Sequence, residues 1–188
     1  TNIKRSEKAR LYLKSRGLEK TEVGYNGGGY KHLKSCIIFP LKSENENIIS
    51  LYGRSIYDKK DQRHFYLKNR KGLYPHYPQA ETKKLILTES MIDAATLLEV
   101  DEIRNNYEVL ALYGTNGLTD EHKKAIERLA FLEEIILFFD GDEAGRKAVD
   151  KYEEELKDIC KISKVNTPDG EDINSLIIGH DSEVLLHL

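Results

Sequence analysis

Three acidic side chains stand directly after short apolar runs of the chain, at positions where carboxylates can act together on a cation. Glu89 follows the run 85–88, and Asp140 and Asp142 follow the run 135–139. Side chains two residues apart in an extended segment point to the same side, so Asp140 and Asp142 can present two carboxylates to one small volume. Such close like charges require a cation, and Mg²⁺ prefers carboxylate oxygens while keeping positions for water and phosphate. The pattern therefore predicts a magnesium site suited to phosphoryl displacement.

The same acids also have a purely structural interpretation. Acidic side chains favour helix N-termini and Asp-Gly pairs are common in turns, so an isolated Asp-Gly-Asp favours a cap or a turn over a metal site. The position of Glu89 after another strand favours the metal site, because parallel strands bring their carboxyl ends to one edge of a sheet. Other catalytic schemes lack their motifs: the sequence has no GxGxxG, Walker A, GxSxG or HExxH pattern, and Ser90 has no evident His partner.

The elements that must position these acids form a regular series in the second half of the chain. Its apolar runs are short, aliphatic and unalternating, as in strands that are covered on both faces of a parallel sheet. Helical spacing fills the gaps, and Thr119 is placed to cap one helix, on which His122 is expected to be solvated. The predicted strands are 85–87, 109–112, 135–139 and 161–165, and the predicted helices are 90–99, 119–129, 143–158 and a segment after 172. We therefore predict an α/β fold with a parallel sheet flanked by helices.

The first half of the chain has the opposite charge. Residues 1–84 contain 19 Lys and Arg against 8 Asp and Glu, a net charge of +11, whereas residues 85–188 have a net charge of −14 and the whole chain has −3. Eight of the eleven tyrosines also lie in the first half. Basic, Tyr-rich surfaces are typical of proteins that bind single-stranded nucleic acid. Tyr is also a common strand residue and Lys a common surface residue, so the composition alone leaves both interpretations open.

The local patterns of the first half predict a smaller α+β unit. Its predicted elements are a helix at 6–16 and strands at 36–41, 48–56 and 65–67. We place a boundary near residues 79–84, and we predict two units, 1–82 and 83–188.

Cysteine usage and hydropathy indicate the environment of the protein. Cys36 and Cys160 lie far apart without a nearby set of Cys or His, so neither a disulfide framework nor a structural zinc site is expected. No apolar run approaches the roughly 20 residues that span a bilayer, and a cytoplasmic location is expected. The sequence has no initiator Met, and we expect it to be part of a longer protein.

Three segments of the second half combine an apolar strand with a polar loop in a specific way. They are 85–94 (LILTESMIDA), 111–119 (ALYGTNGLT) and 136–146 (ILFFDGDEAGR). These segments resemble the TOPRIM domain, a Rossmann-like fold of topoisomerases and bacterial-type primases, and the third is particularly primase-like. The resemblance implies a catalytic metal centre formed by Glu89, Asp140 and Asp142, with supporting metal ligands at Asp93, Asp169 and Asp172. Ser90 departs from the family, which usually has Gly at this position.

The first half contains a second set of matching segments, at 9–18 (ARLYLKSRGL), 37–41 (IIFPL), 49–54 (ISLYGR), 65–69 (FYLKN) and 71–74 (KGLY). They resemble the N-terminal part of the polymerase core of bacterial primases. The resemblance implies a groove for template and nucleotide, lined by Arg54, Arg63, Lys68, Arg70 and Lys71. Phe65 departs from the family, which typically has Lys there, so one expected charge is missing or displaced to Arg63 or His64.

The resemblance implies a DNA-directed RNA polymerase of primase type. Such an enzyme synthesises short RNA primers on single-stranded DNA from ribonucleoside triphosphates, with Mg²⁺ or in its place Mn²⁺. Family partners would be a replicative helicase and an upstream zinc-binding module, in a cytoplasmic, nucleoid-associated location. Two alternatives remain from the residues: a metal-dependent nuclease of the TOPRIM family, and a non-catalytic module that binds single-stranded nucleic acid.

Overall fold

Two four-stranded sheets form the framework of the chain, for which a computed structural model describes residues 2–57, 63–68 and 70–179. The first sheet is antiparallel, with the spatial order β1 (Gly24–Asn26), β2 (Cys36–Lys42), β3 (Ile48–Ser55) and β4 (His64–Tyr66). The second sheet is parallel, with the spatial order β6 (Glu108–Ala111), β5 (Lys84–Thr88), β7 (Glu134–Phe138) and β8 (Lys161–Lys164).

Six α-helices accompany the sheets. They are α1 (Glu7–Ser15), α2 (Met91–Glu99), α3 (Asp101–Asn106), α4 (Asp120–Glu127), α5 (Glu143–Leu156) and α6 (Ile173–Gly179), and short 3-10 helices lie at Asn2–Arg5 and Lys31–Leu33. None of the helices in the described ranges is long and apolar enough to cross a membrane. Asn69 and residues 180–188, which belong to the segments predicted from sequence, lie outside the described residues.

Both faces of the parallel sheet are covered, which is why its strands are apolar throughout. Leu85 and Leu87 of β5 are fully buried in a cluster with residues of α4 and α5. Ile86, which points to the other face, belongs to a second cluster with residues of α2 and α6. The predicted α/β fold with a parallel sheet flanked by helices is therefore confirmed.

The antiparallel sheet shares its core with the parallel one. Ile37 and Phe39 of β2 and Tyr52 of β3 are fully buried in the same cluster as the residues of α2. The predicted smaller α+β unit is confirmed as a fold, with a helix that begins after Ser6, whose Oγ accepts a hydrogen bond from the backbone N–H of Ala9. The sequence did not predict β1 or α3. Both elements are short. Because α3 has one buried residue and β1 has none, neither contains a repeating apolar pattern that could reveal it in the sequence.

One segment between the two sheets is bonded to both of them. Leu73 exchanges two backbone hydrogen bonds with Lys42 of β2, at 3.0 and 2.9 Å, and the carbonyl of Tyr74 accepts a bond from Ala111 N of β6 at 3.0 Å. Immediately before them, Gly72 N donates to a carboxylate oxygen of Glu121 on α4 at 2.9 Å. The two predicted units thus meet through shared backbone pairing, and the boundary at residue 82 stays a prediction.

The expectation that His122 is solvated is wrong. Its side chain is fully buried at the start of α4, where Nδ1 accepts a bond from Thr119 N at 3.3 Å and completes a capping box. Nε2 lies 3.1 Å from the carbonyl of Ala111, and the ring packs edge-on against Tyr113. Burial lowers the pKa of His122 to about 4, so the ring is neutral and tolerates its place in the core.

Position 72 requires glycine, because the segment adopts a left-handed backbone conformation there and passes close to the backbone of β2. Its φ is +87°, and an added Cβ would lie 2.9 Å from both the carbonyl carbon of Leu41 and the carbonyl oxygen of Lys42. We expect Gly72→Ala to destabilise the fold by about 2–4 kcal/mol, from left-handed strain plus the displaced backbone. Gly170 has a similar φ of +80° in open space. The matched Gly170→Ala change should cost only ~1–2 kcal/mol. Urea unfolding of the two variants measures the difference, and equal losses would contradict this steric explanation.

Candidate metal centre and basic face

The acidic edge of the parallel sheet is formed where β5 and β7 end side by side. Thr88, the last residue of β5, is directly paired with Phe138, the last residue of β7. Glu89 follows the first strand at once and Asp140 follows the second after one residue, so both lie at the carboxyl edge. The loop after β6 joins this edge, because Gly114 N donates to the carbonyl of Glu89 at 2.9 Å.

Asp142 caps a helix, as the structural alternative to a metal site predicts. It is the N-cap of α5, and its Oδ1 accepts a hydrogen bond from Gly145 N at 2.7 Å. Gly141 and Gly145 allow this tight turn, since an added Cβ would lie 1.9 Å from the carbonyl oxygen of Pro168 in the first case and 2.2 Å from that of Asp140 in the second. A cap uses one carboxylate oxygen and leaves the other, so capping does not remove Asp142 from the acidic edge.

Ser90, the departure from the family pattern, is bonded to Asp93. Ser90 is the N-cap of α2, and its Oγ donates to Oδ2 of Asp93 at 2.6 Å. The Asp93 side chain is almost fully buried. Its pKa is raised to about 7 by burial and by the charges of Asp172 and Glu89, against the hydrogen bonds from Ser90, which lower it. The serine therefore holds a buried carboxylate that points into the acidic edge.

The pKa values show that these carboxylates repel one another. Burial and, to a lesser extent, the charges of Asp140 and Asp142 together raise the pKa of Glu89 to about 7. Burial and the charges of Asp93, Asp172 and Asp142 likewise raise the pKa of Asp140 to about 7. Desolvation and like charge both disfavour the ionised form, so without a cation these acids resist deprotonation.

The loop before α6 contains two acids, of which Asp172 belongs to this group and Asp169 points into solvent. Asp172 contributes, and its Oδ1 accepts a hydrogen bond from Ser175 N at 2.6 Å. The side chain of Asp169 is 93% exposed and pairs with Arg146 at 2.8 Å. Five of the six predicted ligands therefore influence one another electrostatically, whereas the carboxylate of Asp169 faces solvent and pairs with Arg146.

One contact that is missing at this edge indicates a place for a cation. Oδ1 of Asp140 is buried and has no hydrogen-bond partner, which is costly for a carboxylate oxygen unless an ion satisfies it. Among the described residues, no three His, Cys, Asp or Glu side chains already surround a single point as a finished ligand set. One oxygen of the group, Oδ1 of Asp140, is therefore left without a partner, and an ion would have to draw the acids together.

Arg54 is the basic residue of the first sheet that acts on the acidic edge. Its positive charge lowers the pKa of Asp140, against the effect of the neighbouring acids. Arg54 Nη1 donates to Nε2 of His64 at 2.6 Å, and Nδ1 of that ring bonds to the hydroxyl of Tyr52 at 2.7 Å. Burial, followed by the charges of Arg54 and Arg63, lowers the pKa of His64 to about 4. His64 is therefore neutral, and the suggestion that it replaces the missing charge is wrong.

A small pocket beside Arg54, here called the arginine pocket, is lined by three guanidinium side chains. Arg16, Arg54 and Arg63 line this space of about 190 Å³, together with Tyr12 and Tyr57. Sequence reasoning assigned Arg54 and Arg63 to nucleotide or nucleic-acid binding and missed Arg16. The only signal for Arg16 was its place in a predicted helix with mostly basic outward positions.

The remaining predicted basic residues lie along β4 and the loop after it. Lys68 and Arg70 line a shallow surface groove with Phe65, and the Arg70 guanidinium stands 4.2 Å from the ring centroid of Tyr66. Phe65 points to the opposite face of β4 from its neighbours and packs edge-on against the ring of His32. Lys71 is exposed next to Gly72. These residues form an exposed basic and aromatic surface at the edge of the first sheet.

Comparison with known proteins agrees with this arrangement. A family model described as Toprim-like matches residues 86–177. The chain is 30% identical over 167 residues to the DNA primase of Pseudomonas aeruginosa, an alignment that covers 80% of this chain and 24% of that protein.

Two solved structures share the fold. The Aquifex aeolicus primase, solved with its zinc-binding and RNA polymerase domains, superposes with a TM-score of 0.74 at 21% identity, over 98% of this chain and 56% of that one. The primase fragment of the bacteriophage T7 primase-helicase protein gives a TM-score of 0.67 at 25% identity, over 94% of this chain and 68% of that one.

The fold as a whole is shared with solved primase structures. The chain contains a Toprim-like domain and is similar to DNA primases over most of its length. It spans about a quarter of the length of the Pseudomonas relative and 56% of the Aquifex structure.

The raised pKa values predict how pH and divalent cations act on stability. Glu89 and Asp140 have folded-state pKa values of about 7, above their ordinary values, so the stability that their protonation provides is present below pH 4 and is lost as pH rises to about 7. A bound cation competes with these protons. We expect Mg²⁺ or Mn²⁺ to raise the melting temperature by about 3–6 °C at pH 8 and by less at pH 5.5.

Thermal unfolding followed by circular dichroism at both pH values measures this effect. Asp140→Asn is the test variant and Asp150→Asn, on the exposed face of α5, is the matched control. The control should keep the full shift, and an Asp140→Asn protein with the same shift as the wild type would contradict the proposed cation site.

Proposed function

We propose that the chain contains the catalytic core of a primase that synthesises short RNA primers on single-stranded DNA. The observation that carries this proposal is Oδ1 of Asp140, which is buried without a hydrogen-bond partner at the acidic edge of the parallel sheet. A cation at this edge and the guanidinium of Arg54, whose charge lowers the pKa of Asp140, together suit a nucleoside triphosphate and its metal ion. The similarity of the chain to DNA primases supports the same reaction.

In this proposal the acids hold metal and are not nucleophiles. Glu89, Asp140 and Asp142 are the ligands, and the ion is Mg²⁺, which Mn²⁺ can replace. When bound, the metal would align a primer 3′-hydroxyl with the α-phosphate and stabilise charge on the leaving pyrophosphate. Asp93, in the first turn of α2, and Asp172, just before α6, support the ligands, whereas the exposed Asp169 does not.

The basic half of the chain is proposed to hold the nucleotide and the template. The arginine pocket would bind phosphates of the incoming ribonucleotide, because planar guanidinium groups match phosphate oxygens in a bidentate manner. Lys68, Arg70 and Lys71 would contact the phosphates of single-stranded DNA along the exposed edge of the first sheet, where Phe65 offers a ring for base stacking.

The functional division is proposed to follow the sequence, with template binding in 1–82 and the metal centre in 83–188. The two similar proteins support further partners, since the Aquifex primase was solved with a zinc-binding domain and the T7 protein is a primase-helicase. We propose that this chain likewise works with a zinc-binding module and a replicative helicase, in the cytoplasm and associated with the nucleoid.

Loss of the ligands should abolish synthesis without loss of the fold. We expect Asp140→Asn or Asp142→Asn to lower primer synthesis by at least about a thousandfold, because metal stabilisation of the developing charge contributes several kcal/mol. The measurement is incorporation of labelled ribonucleotides on a single-stranded DNA template with Mg²⁺, alongside circular dichroism of each variant.

The same assay separates the alternatives. Asp169→Asn is the matched control, and it should keep most of the activity because its carboxylate already faces solvent. Wild-type protein that cleaves the template instead of extending on it would establish a nuclease. Tight, salt-sensitive binding that persists without Mg²⁺ and gives no product would establish a non-catalytic module.

A further inference from the structure

The first turn of α6 faces both halves of the chain. Asp172, just before the helix, belongs to the acidic edge, and its charge raises the pKa values of Asp93 and Asp140. Asn174, two residues later, points the other way and contacts Arg16 at the end of α1. One short segment therefore touches the candidate metal centre and the arginine pocket.

Asn174 is buried and its amide is well satisfied. Its side chain is 1% exposed, and Nδ2 donates to the carbonyl of Arg16 at 2.9 Å and to Oγ1 of Thr96 at 2.8 Å. Its Oδ1 accepts a bond from Arg16 Nη1 at 3.2 Å. Both the backbone and the guanidinium of Arg16 are thus fixed by one side chain, although the two residues lie 158 positions apart in the sequence.

The chemical nature of this partner matters. An amide oxygen positions a guanidinium without neutralising it, whereas a carboxylate would cancel much of its charge. Arg54 is held in the same way, because its partner is the neutral ring of His64. Several arginines elsewhere are paired with carboxylates, as Arg128 is with Glu44. Two arginines of the pocket are therefore held in place with their charge available to an anion.

We propose that Asn174 is a positioning residue that holds Arg16 in the arginine pocket for the phosphates of the incoming nucleotide. The proposal rests on the proposed function in one respect, that the ligand of the pocket is the polyphosphate of a nucleotide. Asn174 itself does not touch the ligand. Its effect passes through the placed and uncompensated charge of Arg16, and this arrangement lowers the entropy that the long side chain loses when an anion binds.

A purely structural role for Asn174 predicts a different result. The amide also bonds to Thr96, so loss of Asn174 could act through packing of α2 against α6 alone. Thr96→Val removes this second contact and leaves both contacts to Arg16 in place. It is therefore the matched control for loss of a buried hydrogen bond at the same site.

The test uses binding of inorganic tripolyphosphate, measured by titration calorimetry with a metal chelator present. We expect the wild-type protein to bind it, Asn174→Ala to weaken binding by about tenfold, and Thr96→Val to leave binding within about twofold. Equal losses in both variants, wild-type affinity in Asn174→Ala, or no binding to the wild type would overturn the proposal.

A second variant decides the point if Asn174→Ala does not fold. Asn174→Asp can still hold the guanidinium but neutralises it, and we expect weaker tripolyphosphate binding and a higher KM for ribonucleotides at an unchanged kcat. Wild-type affinity in Asn174→Asp would overturn the role of the neutral partner. Because the binding assay needs neither metal nor template, protein that binds tripolyphosphate normally but makes no primer would refute the proposed function and leave this inference standing.

Discussion

The crowding of several carboxylates at one edge of the parallel sheet is the constraint on which the surrounding structure depends. Glu89 and Asp140 follow neighbouring strands, and Asp93 and Asp142 lie at the start of the helices that come next. The geometry of a parallel sheet brings these groups to one edge, and the burial of Asp93 and partial burial of Glu89 and Asp140 remove part of the water that would screen them. The edge is consequently stable only with protons, with nearby positive charge or with a cation, and a metal-dependent reaction can exploit this need.

The antiparallel sheet supplies positive charge at this edge, and neutral hydrogen-bond partners leave that charge uncompensated. Arg54 lowers the pKa of Asp140, and it is held by the neutral ring of His64 instead of by an acid. Arg16 is held comparably by the amide of Asn174. Neutral partners leave the guanidinium groups available to phosphate, so the same residues can balance the acidic edge in the free protein and bind an anionic substrate.

Helix capping and metal binding are alternatives for an isolated motif, but the capping contacts observed at this edge leave carboxylate oxygens for the proposed metal. Asp142 caps α5 through one oxygen, and Ser90 caps α2 while it donates to the buried Asp93. Capping fixes the direction of each carboxylate, because a bonded oxygen determines where the other one points. The serine that departs from the family pattern therefore adds a hydrogen bond to a supporting acid and leaves Glu89 in place.

The sequence by itself determined the parallel sheet and its acidic edge, because strand periodicity is local and because strand ends of a parallel sheet necessarily meet. It also determined that the first half is basic. Only the tertiary structure decided that His122 is buried, that His64 is neutral, and that Arg16 and Arg54 line one pocket. Each of these depends on contacts between residues far apart in the chain, and local spacing holds no information about which distant polar group will satisfy a buried side chain.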